Sequence, residues 1–197
     1  MSADSARELN PGDHIGRYVV VRPLGRGGMG VVYVARDERL GRNVALKMIA
    51  GLPDETARSR FWREARAAAS VSHPHICQVF EVDDSPQGIF LTMELLEGEA
   101  LDRRLVRGVL PAQEAVPIAL GMLGALGALH ARGLVHRDVK PSNVFLTPHG
   151  PELLDFGLAR PALVSSAPAG DAADDTVVRP VTDAGLIVGT PHYMAPE

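Results

Sequence analysis

His136-Arg137-Asp138-Val139-Lys140-Pro141-Ser142-Asn143 is the stretch from which the rest of the chain is read. It places a carboxylate, an amine and a carboxamide within one short segment. The His-Arg-Asp-x-x-x-x-Asn pattern is long and chemically specific. Asp155-Phe156-Gly157 follows, with Asp155 17 residues after Asp138, and Ala195-Pro196-Glu197 closes the series.

Working back toward the N-terminus, Gly25-Arg26-Gly27-Gly28-Met29-Gly30-Val31-Val32 sets Gly25, Gly27 and Gly30 at G-x-G-x-x-G spacing. Glycines let backbone N–H groups come close to phosphate oxygens. Flexible glycine turns are common, so this signal is weak alone. Its context is strand–loop–strand, without the helix that a dinucleotide-binding βαβ unit requires. Val44-Ala45-Leu46-Lys47 puts a lysine on an otherwise apolar strand. Lys47 reads either as a surface lysine on an edge strand or as a cation for phosphates. Glu64 lies mid-helix between Arg63 and Arg66. It reads either as a solvated helix position or as the partner that fixes Lys47.

The first third of the chain is strand-rich. Tyr18–Val21, Val31–Val34 and Asn43–Ile49 are β-branched runs separated by turn residues. Ala57, Phe61, Ala65 and Ala68 then recur at helical spacing over 54–71, with His73-Pro74 as the stop. Two further strands are expected near 76–81 and 89–93, around a Pro86-Gln87-Gly88 turn. After Gly98 the chain turns helical, with one helix over 112–132. The Ala/Pro/Ser/Asp-rich stretch 161–183 reads as a mobile loop.

The 197 residues are 46% hydrophobic and 22% charged, which suits a soluble globular protein. A net charge of −4 gives no reason to expect nucleic-acid or anionic-membrane binding. The single cysteine, Cys77, has no internal disulfide partner and sits in an apolar run, so it reads as a buried packing residue in a reducing compartment. Residues 1–10 lack the apolar core of a signal peptide. The apolar stretch Val116–Leu129 carries Pro117, Gly121, Gly124 and Gly127, and reads as a buried helix rather than a membrane span.

Taken in order, these motifs resemble the protein-kinase family from about Ile15 to Glu197. The Lys-Pro-Ser-Asn form and Gly189-Thr190-Pro191-His192-Tyr193-Met194-Ala195-Pro196-Glu197 resemble its Ser/Thr branch. The run Gly27-Gly28-Met29-Gly30-Val31-Val32-Tyr33 resembles the bacterial Hanks-type kinases. The resemblance implies an α+β, two-lobe fold. A β-rich N-lobe with one helix would cover about 15–94, after an arm over 1–14. A partial helical C-lobe would cover about 97–197, with a mobile activation segment at about 158–190.

The same resemblance implies ATP and Mg²⁺ as cofactors and protein Ser/Thr hydroxyls as acceptors. Gly25, Arg26, Gly27, Gly28 and Gly30 would cover the phosphates. Lys47, paired with Glu64, would hold them. Asp138 would accept the hydroxyl proton, Lys140 would sit near the γ-phosphate, and Thr190 would position both. Asn143 and Asp155 would bind the metal, whose preference is for hard oxygen ligands. Leu24, Val32, Ala45 and Phe145 would sandwich the adenine, with Met93 behind it and backbone groups of Glu94 and Leu96 bonded to it. Arg137 would read a phosphate on the activation segment. The candidate acceptors are Ser165, Ser166, Thr176 and Thr182, with Thr182 favoured for autophosphorylation through self-association.

Complete domains of this family continue beyond the Ala-Pro-Glu motif, so a fragment is expected, with an incomplete C-lobe. Apolar faces on the 116–129 helix should then be exposed. An impaired ATP-binding or interaction module is the competing reading, and a small-molecule kinase a remoter one. A cytoplasmic location is expected.

Overall fold

The computed structural model describes residues 8–154, apart from 28, 29, 51 and 53, together with Tyr193. The segment 158–190, read above as mobile, and the acceptors Ser165, Ser166, Thr176 and Thr182 lie outside the described residues.

The β-branched runs form an antiparallel sheet. Its strands are β1 (His14–Ile15), β2 (Tyr18–Gly27), β3 (Gly30–Asp37), β4 (Arg42–Ile49), β5 (Val79–Ser85) and β6 (Gly88–Met93). Their spatial order is β1-β2-β3-β4-β6-β5. Short turns explain the β2–β3, β3–β4 and β5–β6 neighbours, since hairpins need little chain. The crossover from β4 to β5 carries helix α1 (Glu55–Ala69).

β4 is buried on both faces, from Val44 to Ile49. On one face Val44, Leu46 and Met48 join Ile15, Tyr18, Tyr33 and Phe90. On the other, Ile49 meets Phe61, Ala65 and Ala68 of α1 together with Val79, Ile89 and Leu91. This is why the α1 spacing matters: three apolar positions at helical repeat face the sheet. Burying Phe61 alone contributes about 2–3 kcal/mol. The Asp54 carboxylate accepts from the Ala57 N–H at 2.7 Å and starts the helix.

Asp37 is fully buried at the end of β3. Its Oδ1 accepts from the N–H groups of Arg39 and Leu40 at 3.0 and 3.1 Å, shaping the turn into β4. Its Oδ2 lies 3.4 Å from the Arg17 guanidinium, which also reaches Glu81 at 2.9 Å. The network ties the β1–β2 turn to β3 and β5.

A second sheet holds β7 (Glu99–Ala100), β8 (Val144–Thr147) and β9 (Gly150–Leu153), in that order. Helix α2 (Leu101–Val106) follows β7, and helix α3 (Ala112–His130) packs on β9. Met122, Ala125 and Leu129 of α3 meet Val71, Ile76, Val144 and Leu153. A Cβ at Gly121 would lie 2.6 Å from the Pro151 ring and 3.3 Å from His75, so α3 and β9 approach closely there. By length and composition α3 could cross a membrane, but this face is packed as a core helix. The opposite face exposes Val116, Leu120 and Leu123.

The strand expected at 76–81 starts three residues later than that reading, at Val79. Ile76 bridges Leu153 instead, and the Cys77 N–H donates to the Leu153 carbonyl at 3.1 Å. Those backbone groups join the two sheets. Helix α3 ends at His130, two residues short of the expected bound. The two-residue strands β1 and β7 and the six-residue α2 are too short to leave a periodic signal, and the sequence reading omits them.

Candidate active site

Residues of the segment 136–143 come together around a buried imidazole. His136 is 2% exposed. Its Nδ1 accepts from the Asp138 N–H at 3.3 Å, and its Nε2 faces the Leu154 carbonyl oxygen at 2.9 Å. Nδ1 must be bare to accept and Nε2 must carry the proton to donate, so these two bonds describe the neutral Nε2–H tautomer. Arg137, between them, has φ 63°, an uncommon conformation for a non-glycine residue. That left-handed residue turns the chain between two buried side chains, His136 and Asp138.

Asp138 is buried, as is Asn143 in the 3₁₀ turn Pro141–Asn143. The Lys140 Nζ lies 2.8 Å from the Asp138 Oδ2. The Asn143 Nδ2 donates to the Asp138 carbonyl at 2.8 Å and to its Oδ2 at 3.1 Å. Carboxylate, ammonium and carboxamide are thus held in one constellation. The amide spends its nitrogen on Asp138, so its Oδ1 is the atom with lone pairs for a cation. The Leu154 N–H donates to the Asn143 carbonyl at 2.8 Å and links the turn to the strand leading to Asp155.

A cavity of about 480 Å³ opens beside this loop, within the usual range for a small-molecule site. Leu24, Val32, Ala45, Met93, Glu94, Leu96 and Phe145 all line it. Gly25 reaches into it, while Arg26, Gly27 and Gly30 continue the β2–β3 hairpin, with Arg26 paired to Val31 and Gly27 to Gly30. The Glu94 N–H already donates to the Gln78 carbonyl at 2.9 Å. An adenine would therefore meet the Glu94 carbonyl rather than its N–H. Cys77 is buried as expected, but it also lines this cavity and approaches the Glu94 carbonyl at 3.8 Å.

Lys47 lies on β4 between Val32 of β3 and Leu91 of β6, only 6% exposed. It is not the surface lysine of an edge strand. Glu64 on α1 has its Oε1 3.8 Å from the Arg137 guanidinium. Gly28, Asp155 and Thr190, named above as site residues, lie outside the described residues. Among the described residues there is no cluster of three or more His, Cys, Asp or Glu side chains able to hold a metal.

The model of the protein kinase domain matches residues 18–197. The chain belongs to the protein kinase family. Among curated relatives it is 39% identical over 193 residues to the Ser/Thr-protein kinase Pkn2 of Myxococcus xanthus, covering 92% of this chain and 21% of Pkn2. To the Ser/Thr-protein kinase PknA of Mycobacterium tuberculosis it is 40% identical over 191 residues, covering 92% of this chain and 41% of PknA. The crystal structure of the Mycobacterium tuberculosis PknI kinase domain superposes with a TM-score of 0.71 at 35% identity, over 78% of this chain and 64% of that one. The chain thus spans 21% to 41% of the length of these curated relatives.

Reading the motifs misses one acidic group of this kinase domain. Glu152, on β9 opposite Phe145, is half-buried. Burial, with the nearby Glu94 carboxylate, pushes its carboxyl up to about 7. No motif marks Glu152, because its neighbour is 58 residues away in sequence. The folded state holds this proton more tightly than the unfolded chain does, so stability should fall as pH rises through about 7. Glu152→Gln should flatten that fall. Melting temperatures of wild type and variant at pH 6 and pH 8 check it: the gap between pH values should shrink in the variant, and an equal gap in both refutes it.

Proposed function

We propose that this domain transfers the γ-phosphate of ATP to Ser or Thr hydroxyls of proteins. The observation that carries this is the Asp138–Lys140–Asn143 constellation beside a cavity of about 480 Å³. Kinship to bacterial Ser/Thr kinases supports it.

In this reading Leu24, Val32, Ala45 and Phe145 clasp the adenine, Met93 stands behind it, and the Glu94 carbonyl and Leu96 backbone hydrogen-bond it. Arg26 and the backbone of Gly25, Gly27, Gly28 and Gly30 lie over the phosphates. Lys47, supported by Glu64, neutralises them within the cleft. Asp138 orients the acceptor hydroxyl in line and takes its proton as the oxygen–phosphorus bond forms. The bond to the bridging oxygen breaks, and ADP leaves. Lys140 offsets charge developing on the transferred phosphoryl group, and Thr190 steadies it. Asn143 Oδ1 and Asp155 would hold Mg²⁺, which when bound would supply positive charge against that of the phosphates. Protein substrates, autophosphorylation at Thr182 through self-association, and a cytoplasmic site complete the reading.

Incubating the chain with Mg²⁺ and ATP and following its intact mass tests the proposal. A gain in mass by whole phosphates is expected. A folded chain that binds ADP yet gains none supports the binding-module reading instead.

A further inference from the structure

The segment before β1 is held in place on the sheet. Leu9 is 6% exposed within the cluster of Tyr18, Tyr33 and Leu46, and its N–H donates to the Tyr33 hydroxyl at 3.1 Å. The Asn10 N–H donates to the Asp13 carboxylate at 2.8 Å, and the Gly12 N–H to the Val20 carbonyl at 2.8 Å. This anchors the arm along β2. Glu8, immediately before the anchor, has its carboxylate on the Arg26 guanidinium.

Arg26 lies between Gly25 and Gly27 and is the only cation from Leu24 to Tyr33. Arg22, the other charged residue of strand β2, lines the cavity and approaches the Pro23 carbonyl at 3.5 Å. We propose that Glu8 is a positioning residue for the nucleotide: it holds Arg26 at the edge of the glycine hairpin and competes with the phosphates for that guanidinium. The inference rests on the nucleotide reading of the cavity. An arm pinned by Leu9 delivers the carboxylate at little entropic cost, because the backbone is already ordered. A bound polyphosphate is the stronger anion, so the arm's contact must break, or be shared, when phosphates arrive. The contact therefore taxes binding of ligands that carry phosphate and leaves unphosphorylated ones untouched.

Calorimetric titration with two probes, ADP with Mg²⁺ and adenosine, tests this. Both partners are exposed, so substitution should spare the fold, and unchanged melting temperatures verify that. Exposed ion pairs contribute about 0.2–1 kcal/mol, so Glu8→Gln should tighten ADP by about 1.5-fold to fivefold. Adenosine affinity should not change. Glu8→Asp should restore much of the wild-type affinity, and Glu8→Gln should have no effect in an Arg26→Gln background. The difference should shrink as salt is raised. An unchanged or weakened ADP affinity in Glu8→Gln, or an equal shift for adenosine, overturns the inference alone. Wild-type protein that binds neither probe overturns the nucleotide reading and this inference with it.

Discussion

Asp138→Asn should lower phosphoryl transfer by about 10³-fold, within the range for loss of a positioned general base, with ADP affinity retained. The substitution keeps the volume and replaces a basic oxygen with an amide. In the native chain the Oδ2 receives the Lys140 ammonium and the Asn143 amide together. An asparagine offers one acceptor oxygen for both and no site for the hydroxyl proton. Its NH₂ also points a donor where the acceptor hydroxyl must place its proton. Little of the fold depends on the lost charge. The backbone N–H of residue 138 still reaches the His136 ring, and its carbonyl still receives Asn143. Single-turnover phosphate transfer with a matched ADP titration separates the two effects. Transfer within tenfold of wild type would remove Asp138 from the role of base.

Gly30→Ala is the second large effect, and it strikes the fold before the chemistry. Gly30 has φ 127°, and a Cβ there would sit 1.9 Å from the Met48 carbonyl oxygen. That oxygen is sheet backbone and cannot swing aside as a flexible side chain would. Strands β3 and β4 would have to part at their end, beside the Val31–Met48 and Gly30–Ile49 pairs. Strain at such a position costs about 3 kcal/mol, which lowers the melting temperature by roughly 6–12 °C in a chain of this size. Gly25→Ala supplies the contrast. A Cβ at Gly25 meets nothing within 4 Å, yet Gly25 lines the cavity. Gly25→Ala should leave melting unchanged and weaken ADP. Equal melting losses in both variants would refute this division of labour.

The three glycines show where a linear reading reaches its limit. Their spacing was visible because spacing along one hairpin is a local property, but it was a weak signal until the other motifs joined it. The need for glycine at position 30 comes from a carbonyl 18 residues away, and only strand pairing brings it there. The Asp138–Asn143 pair was legible for the same local reason: a single turn closes it. The three main strands of the first third and helix α1 were legible from their periods, since each carries enough residues to show one.

Contacts between distant segments were not legible. Lys47 reads as either exposed or buried until β3 and β6 flank it. Glu64 beside Arg137, Glu8 on Arg26 and Glu152 near Glu94 each join charges that no spacing rule connects. The neutral tautomer of His136 depends on a carbonyl 18 residues on. By itself the sequence determined which groups this kinase domain carries, because side-chain chemistry and short-range spacing are written residue by residue. Which charges meet, which are buried and which glycines are irreplaceable were decided by tertiary structure, because electrostatics and steric contact act through space.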